Sequence, residues 1–191
     1  REAEMAFRLS RREVPAEQRA ARTQYLAQTP YTEREVPLPN HDFAEGLQGW
    51  HAGAFGSAVP DGYQESPAVR IETATAAEKN SDVYITRQVP VVEGAEYELS
   101  GMVRTRNVRN AKAGGMTGTG ATLIVEFADK EGKWFAGGSY ATGLYGDRDW
   151  QRVVAKPARA PKGAGFAILY LAMRATGTAW FDDISLREIR R

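Results

Sequence analysis

From Asn40 onward, polar and apolar residues change places at every second position, in short runs cut by Gly, Pro, Asn and Asp. That period fits a strand with one buried and one exposed face, and it excludes a helix. The candidate strands are Ala68–Thr73, Asp82–Val89, Glu96–Thr105, Ala121–Ala128, Phe135–Ala141, Gln151–Lys156, Phe166–Arg174 and Thr178–Arg187. Turn chemistry separates them at Glu93-Gly94, Asp129–Gly132, Gly143–Asp149, Pro161–Gly165 and Thr176-Gly177. Seven or eight short strands at this spacing, with no βαβ pattern and no internal repeat, predict an all-β fold: a two-sheet antiparallel β-sandwich or jelly roll.

Residues 1–38 read differently. They lack alternation and are rich in Arg, Glu, Ala and Gln. Pro15 suits the first position of a helix, Ala21, Tyr25 and Leu26 give it a thin apolar stripe, and Pro30 stops it. Pro37 and Pro39 then make a stiff connector. The segment is expected to be a helical or extended linker from an upstream domain, with a helix docked on the sandwich as the other reading. The sandwich is expected over 39–191.

Charge and composition narrow the function classes. Lys and Arg number 25 and Asp and Glu 24, so no basic footprint for nucleic acid exists. There is no cysteine, which removes disulfides, thiol catalysis and Cys-ligated metals. No apolar run is long enough to span a membrane. The only histidines are His41 and His51, and no Gly-x-Ser-x-Gly elbow occurs. Gly114–Gly120 superficially suggests a phosphate loop, but no Gly-Lys-Ser/Thr follows and the next element reads as a strand. It is expected to be a mobile loop bordering a cleft, with Asn107 and Asn110 nearby.

Five motifs, in order, carry a family resemblance. The stretch Asn40–Trp50 has an Asn, a Phe and then Gly49-Trp50. Val89–Val103 holds Glu93-Gly94, Tyr97-Glu98-Leu99-Ser100 and Val103. Ala121–Gly132 is a strand with an Asp-x-x-Gly hairpin. Asp149-Trp150 is followed by Ala160-Pro161, and Gly177–Leu186 closes the chain through Trp180-Phe181-Asp182-Asp183. This series resembles carbohydrate-binding modules of the family 4/9/22 type, which have a galactose-binding-like jelly roll. The resemblance implies a non-catalytic module that targets an attached catalytic domain to a polysaccharide or oligosaccharide, in a bacterial protein that is secreted, periplasmic or at the cell surface. It also implies one structural calcium joining the first and last strands. Asp182 or Asp183 would be a ligand, with carbonyls from Ser66–Pro67. The family glutamate falls on Ala44, so Asp42 or Glu45 would have to substitute. The alternative for Asp182 is hydrogen bonding to backbone amides, since a buried carboxylate needs some partner.

The residues themselves offer a sugar-binding surface. Sugars need an aromatic platform for their apolar faces and fixed polar groups for their hydroxyls. Strand parity groups Arg104, Glu126, Tyr170 and Arg174 as candidates for one exposed concave face, with Tyr84 beside them; a solvated Arg104–Glu126 ion pair is the plain alternative. Trp134, Tyr140 and Tyr145 lie near loops at a sandwich edge, and Trp134 is either a stacking platform or core. Trp50 and Trp150 are expected to plug the ends of the core, and Asp182 to point inward with Ile184 and Leu186. Two further functions stay in view: a structural sandwich packing on a neighbouring catalytic domain, and, more remotely, a jelly-roll lyase or glycosidase, with Tyr170 and Arg174 cast as a lyase's base and neutraliser.

Overall fold

The computed structural model describes residues 16–27, 30–75, 77, 80–110 and 119–191. Among these, α1 (Ala16–Leu26) precedes β1 (Thr32–Val36), β2 (His51–Ala52), β3 (Gly56–Val59), β4 (Ala68–Thr73), β5 (Tyr84–Pro90) and β6 (Glu96–Arg109). Then come β7 (Gly120–Ala128), β8 (Trp134–Tyr140), β9 (Gly146–Val154), β10 (Ala158–Arg159), β11 (Phe166–Arg174) and β12 (Thr176–Arg190). They form two antiparallel sheets. The front sheet runs β2-β5-β11-β7-β8. The back sheet runs β10-β6-β12-β4-β3, with β9 also pairing β6 and β1 also pairing β12. The all-β two-sheet sandwich expected from the alternation is the observed architecture.

The core lies between the sheets and takes alternate side chains of their central strands. The back sheet supplies Val69, Ile71, Leu99, Val103, Phe181, Ile184 and Leu186. The front sheet supplies Ile85, Leu123, Val125, Phe127, Leu169, Leu171 and Met173. Full burial of side chains of this size is worth about 1.5–3 kcal/mol each. Trp50 closes one end of the core against Phe43, ring centroids 5.3 Å apart, and its Nε1 donates to the Asn40 carbonyl at 3.1 Å. Trp150 does not plug the core. A register break in β9 opposite Arg104 turns it onto the outer surface of the back sheet, half-buried.

Two boundaries depart from expectation. The sandwich starts before residue 39, because β1 pairs with the second half of β12, from Thr32 opposite Arg190 to Val36 opposite Leu186. The helix before it is tied down by Arg22, whose Nε donates to both Glu98 carboxylate oxygens at 2.9 Å. Thr176-Gly177 opens β12 instead of forming a turn, and Ala175 alone carries the chain from the front sheet to the back. Gly177 takes φ 117°, and a Cβ there would meet the Asn107 carbonyl at 2.5 Å, so that approach requires glycine. The Gly-rich run is outside the described residues up to Gly118; Gly120 begins β7.

Candidate functional site

The outer face of the front sheet is built around β11. Its odd residues Ala167, Leu169, Leu171 and Met173 enter the core, so Phe166, Ile168, Tyr170, Ala172 and Arg174 face away from it. Cross-strand partners share a face. The registers therefore lay out rows: Pro90–Phe166–Ala128–Trp134, then Gln88–Ile168–Glu126, Thr86–Tyr170–Ile124–Tyr140, Tyr84–Ala172–Thr122, and Arg174 opposite Gly120. Two register shifts in β8, around Gly137-Gly138 and Phe135, leave both Trp134 and Tyr140 on this face. From Trp134's row to Arg174's is eight residues of strand, roughly 26 Å.

The floor and the walls have distinct chemistry. Thr122, Ile124, Ala128, Ile168 and Ala172 are buried although they lie on the outer face, and so form a floor beneath larger side chains. Trp134 and Tyr140 stand clear of it, 54% and 47% exposed. Glu126 holds both: its carboxylate accepts a hydrogen bond from Trp134 Nε1 at 2.8 Å and another from the Tyr140 hydroxyl. Further along, the Tyr84 and Tyr170 rings meet edge to face, centroids 5.2 Å apart. Arg174 Nε donates to the Tyr84 hydroxyl at 2.6 Å, and its guanidinium carbon lies 5.3 Å from that ring's centroid.

These contacts fix protonation states. Burial, then the hydrogen bond to Glu126, pushes the Tyr140 phenol up to about 12. Burial and the Glu126 charge push Tyr170 up further. Burial also raises Tyr84, against the pull of Arg174. All three phenols are therefore protonated at neutral pH.

Six of the seven residues proposed for sugar binding, Tyr84, Glu126, Trp134, Tyr140, Tyr170 and Arg174, thus gather on one face. Arg104 does not. It lies on the outer face of the back sheet, its Nη2 bound to the carbonyl and carboxylate of Asp61 at 3.2 and 3.3 Å, so no Arg104–Glu126 pair exists. Parity tells which side of its own sheet a residue takes, and both residues point outward, but from opposite sheets. The register adds Thr86, Gln88 and the exposed His51, which pairs with Thr86, to the face. The period-2 pattern in β5 carries the signal for Thr86 and Gln88; a two-residue β2 offers none for His51.

The carboxylates considered as calcium ligands are dispersed. Asp182 is buried, but a bulge at Asp183 (φ 46°) reverses parity between it and Ile184, so Asp182 shares the outer face with Met102, its partner on β6. There its Oδ2 accepts from Tyr63 N–H and Ser66 Oγ, both at 2.8 Å, and its Oδ1 from Asp183 N–H at 2.7 Å. Burial pushes it up to about 6, partly offset by those donors. The Asp183 carboxylate pairs with Arg152, and the Ser66 carbonyl accepts from Gly62 N–H at 2.7 Å. Asp42 is an exposed turn residue bonded to Ala44 N–H, and Glu45 is exposed. Among the described residues, no three Asp, Glu or His gather where they could hold a metal. Asp182's oxygens are already met by donors, and a guanidinium stands beside Asp183.

No family model and no curated protein sequence matches the chain. Solved structures share its fold. One holds the CBM22-1 and GH10 modules of the Clostridium thermocellum endo-1,4-β-D-xylanase 10B complexed with xylohexaose. It is 23% identical, with TM-score 0.55 over 80% of this chain, which spans 28% of that protein. The CBM22-1 xylan-binding domain of Paenibacillus barcinonensis Xyn10C is 18% identical, with TM-score 0.55 over 79% of this chain and 93% of that one. The Stig cyclase Fisc from Fischerella sp. TAU is 12% identical, with TM-score 0.55 over 82% of this chain and 98% of that one. At such identities the likeness establishes the fold: the chain is a jelly-roll-like β-sandwich resembling carbohydrate-binding modules of the family 22 type, on a scaffold that a cyclase also uses.

Proposed function

We propose that the chain is a non-catalytic glycan-binding module, and that an extended polysaccharide lies along the outer face of the front sheet. One observation carries this reading. Trp134 and Tyr140 project from a buried floor while a single carboxylate, Glu126, fixes both rings. A ring with a locked orientation stacks on a sugar's apolar face at little entropic cost, and the unspent donors of the same track meet hydroxyls. The raised phenols favour binding over catalysis, because a lyase-type tyrosine base has to lose its proton. In this role the module tethers a catalytic partner to its substrate, outside the cytoplasm. The structural likeness to xylan-binding modules supports the class of ligand and does not name the sugar.

A glycan array followed by affinity electrophoresis on the soluble hits tests the proposal. Wild type is expected to bind at least one polysaccharide. Trp134→Ala and Tyr140→Ala each weaken it about tenfold or more while leaving the melting temperature close to wild type. An array without hits, or hits indifferent to both substitutions, overturns it.

A further inference from the structure

The two ends of the track differ in charge. Arg174 is half-buried and closes one end. Elsewhere the partly buried guanidiniums have carboxylates within ion-pair distance: Arg70 with Glu72, Arg104 with Asp61, Arg152 with Asp183, and Arg187 with Glu35. Arg87, also on the front sheet, spends its Nη1 on the Pro39 carbonyl at 2.5 Å and lies 5.7 Å from the Trp50 ring centroid. Arg174 has no carboxylate partner among the described residues. Among the described residues its hydrogen bond is through Nε, to the neutral Tyr84 hydroxyl, and none of them accepts from the fork of its two terminal nitrogens. The carboxylate on the same face, Glu126, sits in a row six residues back along the sheet, is bonded by Trp134 and Tyr140, and acts on the Tyr84 and Tyr170 phenols without forming an ion pair with Arg174.

A partly desolvated guanidinium without a counter-ion is costly to keep, and its planar fork matches a carboxylate or sulfate in a two-pronged bond. Tyr84 braces this fork through its hydroxyl and its ring, so the group is already oriented. We infer that Arg174 receives an anionic group on the bound glycan. The ligand class is then an acidic polysaccharide, bearing a uronate or a sulfate ester, with its neutral sugars stacked towards Trp134. This rests on the glycan-binding reading above and adds the substituent and the direction in which the chain lies.

The experiment compares affinities within matched pairs: a uronate-bearing xylan with its carboxyl-reduced product, and a sulfated galactan with its desulfated product. Each is titrated by calorimetry at low and at 0.5 M salt. Wild type is expected to prefer the charged member of one pair by about tenfold, with the preference shrinking in salt. The pair that shows it tells uronate from sulfate. In Arg174→Gln the ratio within that pair falls to near one, whereas Arg174→Lys retains part of it, which a purely packing role would not do. Equal binding to both members of each pair overturns the anionic assignment and leaves glycan binding standing. No binding to any of the four polymers, nor to any glycan on the array, overturns both.

Discussion

Arg104 lies between two indoles, its guanidinium carbon 5.0 Å from the Trp150 ring centroid and 4.3 Å from that of Trp180. Trp180 is in turn the cross-strand partner of Arg70 on β4 and of Arg104 on β6. Arg70, Trp180, Arg104 and Trp150 thus form a row across four strands of the back sheet, in which the planar cation of Arg104 meets two rings. The Nε atoms of Arg70 and Arg104 and the Nε1 of Trp180 are buried without a conventional acceptor among the described residues, and two ring faces flank the Arg104 guanidinium. Arg104→Ala is therefore expected to cost about 1–2 kcal/mol in chemical denaturation, from two cation–π contacts and lost packing, while glycan affinity stays at the wild-type value. A loss of binding without a loss of stability would place Arg104 in the site after all. At this scale the sequence was half legible. Alternation assigned Arg104 and Arg174 correctly to outward positions, but the sheet each belongs to depends on pairings far apart along the chain. Asp182 was misread for a sharper reason: one bulged residue, Asp183, inverts the parity of everything beyond it.

Strands that bury alternate side chains could be read; those held by charge or by only a pair of residues could not. β4 and β11 have the bounds their alternation predicts, and β5 to β9 and β12 differ chiefly at their ends. β1 (Thr-Glu-Arg-Glu-Val) has no apolar period at all, and it belongs to the sandwich through its partners. Arg34 donates to the buried Glu188 at 3.1 and 2.8 Å, where the Tyr97 hydroxyl and Arg190 also converge. The Arg34 bonds lead in holding the Glu188 carboxyl down to about 2. A carboxylate held below its ordinary value stabilises the folded state fully above about pH 4.5, and that contribution drains away as pH falls towards 2. A fragment of residues 30–191 should accordingly have a higher urea midpoint than one of 39–191 at pH 7, where the shorter chain leaves Glu188 without Arg34 and β12 with an unpaired edge. The gap should narrow steadily below pH 4.5. Equal midpoints at pH 7 would mean that β1 adds nothing to the sandwich.

Taken as a whole, the sandwich joins its entry segment to its last strand with hydrogen bonds, and a buried cation braces the bulge of that strand. Ile184 N–H donates to the His41 carbonyl at 3.0 Å, and the Asn40 side chain donates to Gly46 and Gln48 carbonyls while accepting from Glu45 N–H. The Tyr63–Ser66 turn is pinned on Asp182. Arg152, almost wholly buried on β9, reaches across to the Asp183 carboxylate, to the Asp183 carbonyl at 3.3 Å and to Ser100 Oγ at 3.4 Å, so that β6, β9 and the β12 bulge meet at one guanidinium. In this arrangement Arg152 supplies a protein-borne cation at the β12 bulge. The expected outcome is a melting temperature that neither a chelator lowers nor millimolar calcium raises. Arg152→Ala, by contrast, should cost roughly 2–4 kcal/mol, because it leaves the Asp183 carboxylate beside a bulge with only the exposed His41 imidazole near it, at 3.8 Å. Arg152→Lys restores the charge but not the three-way fork, and should recover only part of that loss. A calcium-dependent rise of several degrees in wild type would overturn the arrangement. So would a neutral Arg152→Ala, since the bulge would then be held by its backbone alone.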